Sequence, residues 1–114
     1  MLKASYAQEI ITPPVGVDLA GYFNLRLNEG YYDDLYVKVV ALEIDGKRTA
    51  VVTLDLCSIR KDMFDAIKTA VDAEFGEGLY ENLLICATHT HTGPRLFNTD
   101  GELDERTQYA FDTV

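Results

Sequence analysis

Apolar and polar residues alternate along the middle of this chain with the period of β-strands. Residues 35–44 alternate roughly in this way, and residues 49–56 repeat the character after Asp45-Gly46. Asp-Gly between two such runs predicts a β-hairpin, because these residues suit the tight turn that joins paired strands. Residues 50–54 are apolar at positions of both faces, which predicts an inner strand of a sheet that is covered on both sides.

A helical period follows the hairpin. Apolar residues recur at helical spacing between positions 60 and 75, and they are Met63, Ile67, Ala70 and Val71. Ser58 or Asp62 is a candidate cap for the start of this helix, and Gly76 with Gly78 is expected to end it.

A continuous apolar run, residues 83–87, predicts a further strand after this helix. Strand, helix and strand in this order predict a right-handed β-α-β crossover between parallel strands. The fold class is therefore α/β, with a mixed sheet that combines a hairpin and a crossover. A second helix is predicted for residues 102–114, and it reaches the last residue without a capping residue. Such an ending indicates either a longer parent protein or a partner surface elsewhere.

The first third of the chain is irregular. Two prolines in residues 10–16 rule out a helix there, and we expect a short strand to end in this segment. Residues 17–34 then predict a long ordered loop, a kind of segment that often carries function. It contains four aromatic residues, which are Tyr22, Phe23, Tyr31 and Tyr32.

Composition narrows the class of protein. The 114 residues include 10 Lys+Arg and 19 Asp+Glu, for a net charge of −9, and 47% are hydrophobic. These values predict one globular domain over residues 1–114 and exclude the basic footprint that nucleic-acid or anionic-membrane binding needs. Neither a transmembrane run nor a signal-peptide core is present in the sequence. Cys57 and Cys86 lie in apolar runs and predict buried thiols in a reducing compartment. We expect a cytoplasmic protein, or a secreted one if the N-terminus is truncated.

Both histidines of the chain lie in the run Thr88–Pro94, directly after a predicted buried strand. In open α/β sheets, ligands bind outside the carboxyl ends of the parallel strands. In extended geometry His89 and His91 share one face and lie close enough for one metal ion or one substrate. Two imidazoles make only part of a zinc site, since catalytic zinc normally takes three protein ligands and a water molecule.

Other polar residues are candidates around this run. Asp55 ends the neighbouring predicted strand, so it could ligate a metal or hold an imidazole N–H as an outer partner, and a turn-capping role is equally open. Arg95 could bind an anionic group of a substrate or pair with a surface acid such as Glu105. Cys57 and Ser58 have no histidine in their own segment, which favours buried or capping roles over nucleophilic ones.

Five short segments together resemble the start of the neutral/alkaline non-lysosomal ceramidase family. The most specific is Ala87–Pro94, which reads A-T-H-T-H-T-G-P, and the others are residues 10–14, 20–22, 34–38 and 54–55. The resemblance implies a zinc amidase that hydrolyses the N-acyl bond of a ceramide-like lipid amide. It also implies that His89 is the first zinc ligand and that His91 contacts the substrate or the tetrahedral intermediate. Gly21, Tyr22 and Arg95 are further candidates for substrate contact.

The resemblance also implies that the zinc site is larger than this chain. The family's other ligands are a second histidine, a glutamate and a tyrosine, and they lie far downstream of the motif, outside these 114 residues. The chain is therefore expected to be the N-terminal part of a catalytic domain and to be inactive alone. A non-catalytic ligand-binding or interaction domain is the alternative, and a homo-oligomer that completes the metal site between subunits stays open.

Overall fold

The structure is a computed structural model, and it describes residues 1–97 and 104–113. In that part of the chain, two helices accompany four strands. The strands are β1 (Lys3–Ile10), β2 (Tyr36–Ile44), β3 (Lys47–Leu54) and β4 (Asn82–Ala87), and the helices are α1 (Lys61–Phe75) and α2 (Glu105–Thr113). Over the described residues, no helix is both long enough and apolar enough to span a lipid bilayer.

The strands form one mixed sheet in the order β1-β2-β3-β4. Strand β2 pairs antiparallel with β1 and with β3, whereas β3 pairs parallel with β4. Asp45 and Gly46 both have positive φ, 50° and 79°, as a tight turn between twisted strands requires. The predicted hairpin, the parallel pairing and the α/β class are therefore confirmed.

The core lies on the face of the sheet that packs against α1. Val52 and Leu54 of β3 are buried there with Met63 of α1. The opposite face of β3 is open, since Val51 is 36% exposed and its cross-strand neighbours Val40 and Leu84 are more so. The expectation of a sheet covered on both sides is thus wrong for the described residues. The apolar residues on both faces of β3 reflect its position between β2 and β4, and they do not indicate a second layer over the sheet.

Helix α1 differs from the prediction at its start. Arg60 precedes the first turn and makes no side-chain capping hydrogen bond, and neither Ser58 nor Asp62 occupies that position. Asp62 lies inside the first turn, where its charge favours the positive end of the helix dipole. Gly76, with φ of 96°, ends the helix as predicted and donates its N–H to the carbonyl of Asp72 at 2.9 Å.

Helix α2 begins later than predicted within the described residues. Asp104 precedes it and accepts the backbone N–H of Thr107 through Oδ1 at 2.9 Å. The hydroxyl of Thr107 accepts the N–H of Asp104 at 2.8 Å, so the two residues cap the helix reciprocally. Residues 102, 103 and 114 of the predicted helix lie outside the described residues.

The predicted loop of residues 17–34 is held by backbone pairing. Leu19 donates to the carbonyl of Arg26 at 2.7 Å, and Asn28 donates to the carbonyl of Val17 at 2.9 Å. We call residues 17–28 the 17–28 loop. The buried side-chain carbonyl of Asn28 also accepts the N–H of Val17 at 3.0 Å. These bonds make the segment an ordered element that can support a site.

Candidate metal centre

The segment Thr88–Pro94, which we call the histidine run, continues the edge of the sheet beyond β4. Thr88 donates its N–H to the carbonyl of Leu54 at 3.0 Å, and Thr90 donates to that of Leu56 at 3.1 Å. His89 between them has a φ of 66°, in the left-handed region that residues with a Cβ rarely adopt. The run is therefore not the regular extended strand that the spacing argument assumed. Such backbone strain is common at functional sites.

The two imidazoles nevertheless meet. Nε2 of His91 lies 3.0 Å from Nε2 of His89, and the ring centroids are 4.7 Å apart at an interplanar angle of 75°. The structure thus brings together the two residues that the sequence selected. Two ring nitrogens that face each other at this distance can form a hydrogen bond, or they can both contact one bound cation or substrate atom.

The other nitrogen of His89 contacts Cys57. Nδ1 lies 2.7 Å from the carbonyl oxygen of Cys57, and the Sγ atom of the same residue is 3.8 Å away. A proton on Nδ1 satisfies that carbonyl and leaves the lone pair of Nε2 free to bind a metal, as is usual for metal-ligating histidines. One donor atom from each of Cys57, His89 and His91 lies within 4.8 Å of the other two.

Gly21 lies directly against His91. A Cβ built on Gly21 would be 2.5–2.7 Å from Cγ, Nδ1 and Cβ of His91, and the φ of Gly21 is 87°. No side chain fits there without moving the imidazole. Gly21, a candidate for substrate contact, therefore packs against a histidine of the site.

Asp55 supports the histidine run through a threonine. Its Oδ2 accepts the N–H of Tyr36 at 3.0 Å, and its Oδ1 accepts the hydroxyl of Thr88 at 3.0 Å. The carboxylate thus joins the start of β2 to the residue before His89. The hydrogen bonds of the Asp55 carboxylate are thus with Tyr36 and Thr88, and not with an imidazole.

Arg95 pairs with a residue of the 17–28 loop. Its Nε lies 2.7 Å from Oδ2 of Asp18 as an ion pair whose geometry is not that of a hydrogen bond. Its Nη2 donates to the carbonyl of Tyr22 at 2.8 Å. Both charged side chains are largely buried. The prediction that Arg95 pairs with a surface acid such as Glu105 is therefore wrong, because its partner is the buried Asp18. The guanidinium of Arg26 lies over the ring of Tyr22, 4.6 Å from its centroid.

Two clefts adjoin the histidine run. The smaller, about 120 Å³, lies between the 17–28 loop and the end of β3, and Gly21, Cys57 and Arg95 line it. The larger, about 680 Å³, reaches from Thr92 along the loop before β2 and is lined by Tyr31 and Tyr32 among others. Tyr32 is fully exposed, so part of the aromatic surface of this loop faces solvent and does not pack on the core.

Cys57 is the residue that sequence reasoning left out. Its own segment contains no histidine, so the sequence favours a buried or capping role for it. One signal was available: Cys57 follows β3, the histidine run follows β4, and parallel neighbours end at the same edge of a sheet.

The solved structures that are similar to this chain include two ceramidases. The crystal structure of neutral ceramidase from Pseudomonas aeruginosa matches with a TM-score of 0.82 and 22% identity, over 98% of this chain and 20% of that protein. A ceramidase complexed with C2 matches with a TM-score of 0.78 and 22% identity, over 98% of this chain and 19% of the other. The chain thus spans about a fifth of each. No family model and no curated protein matches the chain. At this identity the likeness confirms the resemblance at the level of the fold.

Proposed function

We propose that this chain is the N-terminal part of a zinc-dependent hydrolase that cleaves the N-acyl amide bond of a ceramide-like substrate. The observation that carries the proposal is the facing pair of Nε2 atoms of His89 and His91, 3.0 Å apart at the end of a parallel strand. The pair lies on a fold similar to that of neutral ceramidase over 98% of the chain.

The residues fit a zinc ion. Imidazole nitrogen is a usual ligand of zinc, and Nε2 of His89 lies in an exposed side chain at the edge of the sheet. Nε2 of His91 lies 3.0 Å from it, so the second imidazole lies beside the position that a bound ion would take. The bond between Nδ1 of His89 and the carbonyl of Cys57 supports Nε2 as the ligating atom.

A bound zinc would supply a Lewis acid that polarises the acyl oxygen and lowers the pKa of a water molecule to about 7. His89 would hold this ion through Nε2. His91 would bind the substrate oxygen, or donate a proton to it, through its own Nε2. Asp55 and Thr88 would keep the histidine run in place while the substrate binds.

The substrate side of the proposal rests on the larger cleft. Its tyrosines offer apolar ring faces with polar hydroxyl groups, which suit an amide that carries a hydrocarbon chain. Gly21, Tyr22 and Arg95 remain candidates for contacts with the amide end. The alternative is a ligand-binding or interaction domain without catalysis, for which the two clefts beside the histidine run would hold the ligand.

The test is hydrolysis of an N-acyl sphingosine by the longest form of the protein that contains this chain. The amount of fatty acid released measures the hydrolysis. We expect zinc-dependent hydrolysis that falls at least a hundredfold in His89→Ala. The control is Glu74→Ala, an exposed position of helix α1 that lines neither cleft. No hydrolysis of any N-acyl amide by the zinc-loaded protein would support the binding domain instead.

A further inference from the structure

Strand β1 forms one edge of the sheet. It pairs with β2 along one side, and no strand of the described residues lies along its other side. The pairing with β2 runs through all of Lys3–Ile10 without a bulge or a proline, and every residue of β1 is exposed. An edge of this kind presents a regular row of unpaired N–H and C=O groups, which is a template for another strand.

The charges at the two ends of β1 are complementary. Lys3 and Glu9 occupy alternate positions of one strand, so their side chains lie on the same face of the sheet. An antiparallel copy of β1 that is centred on Tyr6 places Lys3 of each copy opposite Glu9 of the other. Lys3 already donates to Glu43 at 2.9 Å, but its side chain is 72% exposed and its ammonium group has three donors. The pairing thus produces a cross-strand row of alternating charge, which is Arg48, Glu43, Lys3 and then Glu9 of the second copy.

The same register continues an apolar row on the open face of the sheet. Each strand contributes one exposed residue to this row, and these residues are Tyr6, Val40, Val51 and Leu84. With Tyr6 at the centre of the pairing, the rows of the two copies meet ring to ring. Leu2 falls opposite Ile10 on the same face, and both are exposed apolar residues. A register shifted by two residues in either direction loses both the charge match and the ring pair.

We propose that two copies of this chain associate through β1, antiparallel and with Tyr6 at the two-fold axis, so that their sheets become one continuous sheet. The edge of each copy is self-complementary in charge and in apolar contacts, as a two-fold interface requires. The histidine run lies at the opposite edge of the sheet, beyond β4, so the pairing leaves it uncovered. The proposal therefore goes beyond the proposed function and does not depend on it.

Phe75 provides the matched control for a variant of Tyr6. Tyr6→Lys places a lysine opposite its own copy at the centre of the pairing, where like charges are destabilising. Phe75 lies at the end of α1, away from this edge, and is also an exposed aromatic residue, 59% against 60% for Tyr6. Phe75→Lys changes the net charge equally and also removes an exposed ring, so the two variants differ chiefly in position.

The first experiment is sedimentation equilibrium of the chain over a series of concentrations. We expect a dimer with twice the mass of one chain. Tyr6→Lys should weaken the association at least about tenfold, because it removes the ring pair and adds like charges. Phe75→Lys should leave the dissociation constant unchanged. A chain that stays monomeric, or a dimer that the two variants affect equally, overturns the proposal.

The second experiment measures the register and decides the proposal even if Tyr6→Lys fails to fold. Both native cysteines are first replaced, by Cys57→Ser and Cys86→Ser. Tyr6→Cys in this background should form a disulfide between copies under mild oxidation, since directly opposed residues have Cα atoms about 4.5–5.5 Å apart. Gln8→Cys is the control, because residue 8 of the two copies would be about 13 Å apart along the strands, too far for a disulfide. Equal cross-linking of the two variants, or none in Tyr6→Cys, excludes the pairing.

Discussion

Gly21 determines where the imidazole of His91 can lie. The ring packs over its Cα, in space that a side chain would fill, and the φ of 87° is itself one that glycine adopts without cost. His89 on the other side has a φ of 66° despite its Cβ. At the residue scale, the site thus depends on the missing side chain of Gly21, which leaves room for the ring of His91, and on the left-handed backbone of His89.

We predict that Gly21→Ala separates the two imidazoles. A Cβ would lie 2.5–2.7 Å from three atoms of His91, so the exposed ring must move away. The left-handed backbone adds about 1–2 kcal/mol of destabilisation. The nuclear Overhauser effects between ring protons of His89 and His91 should be lost, and any metal affinity of the chain should fall at least about tenfold.

Gly16→Ala is the control for the backbone term. Gly16 has a φ of 97°, and a Cβ there meets nothing within 4 Å. Gly16→Ala should therefore lower the free energy of unfolding by about as much as the backbone term of Gly21→Ala, and it should leave the contact between the imidazoles intact. Equal effects of the two variants on that contact would show that the packing of Gly21 against His91 is unimportant.

At the scale of elements, a cluster of ionised side chains joins three strands. Glu43 of β2 accepts from Lys3 of β1 at 2.9 Å and from Arg48 of β3 at 2.6 Å. The hydrogen bond from Arg48, followed by that from Lys3, lowers the pKa of Glu43 from 4.5 to about 2. The cluster lies where β1 meets the hairpin, so it ties a strand that is distant in sequence to its partner.

The lowered pKa of Glu43 predicts a pH-dependent contribution to stability. The folded state favours the carboxylate, so the contribution is complete above about pH 4.5 and is lost as the pH falls towards about 2. Glu43→Gln should therefore lower the free energy of unfolding near neutral pH, and the difference from wild type should shrink below about pH 4.5. Urea denaturation at a series of pH values measures it.

Glu9→Gln serves as the comparison for this pH dependence. Glu9 is an exposed carboxylate of β1, the strand that pairs with β2, and its replacement by glutamine changes the net charge equally. A pH profile for Glu43→Gln that matches that of Glu9→Gln would assign the effect to net charge and not to the cluster.

At the scale of the whole molecule, hydrogen bonds join the 17–28 loop to the histidine run and to Arg95. Ala20 donates to the carbonyl of Gly93 at 2.8 Å, and Arg95 donates its backbone N–H to that of Asp18 at 2.7 Å. The ion pair of the Asp18 and Arg95 side chains, only 12% and 17% exposed, lies beside these bonds. This junction holds Gly21 against His91.

We predict that Arg95→Met destabilises the chain by about 3 kcal/mol, because it leaves the buried carboxylate of Asp18 without its partner. The double variant Asp18→Asn with Arg95→Met should recover part of this loss. Urea denaturation followed by circular dichroism gives the free energies of unfolding.

An exposed ion pair on α1 supplies the reference. Lys61 and Asp65 pair four residues apart with side chains 85% and 54% exposed, so Asp65→Asn should cost no more than about 0.5 kcal/mol. If Arg95→Met cost as little, the junction between the loop and the histidine run would contribute no more than a surface pair.

The sequence by itself determined the elements of this protein. The hairpin at Asp45-Gly46, the helix that ends at Gly76 and the parallel strand before the histidines all follow from local signals. Turn chemistry and periodicity act over a few residues, so they can be recognised without knowledge of the fold. The ceramidase-like motif Ala87–Pro94 likewise pointed to His89 and His91.

The tertiary structure decided which side chains meet. Cys57 reaches His89 only because β3 and β4 end at one edge, and Gly21 reaches His91 only because the 17–28 loop pairs with the histidine run. Arg95 pairs with Asp18 for the same reason. These partners are far apart in sequence, and no local pattern encodes the strand register and loop pairing that bring them into contact.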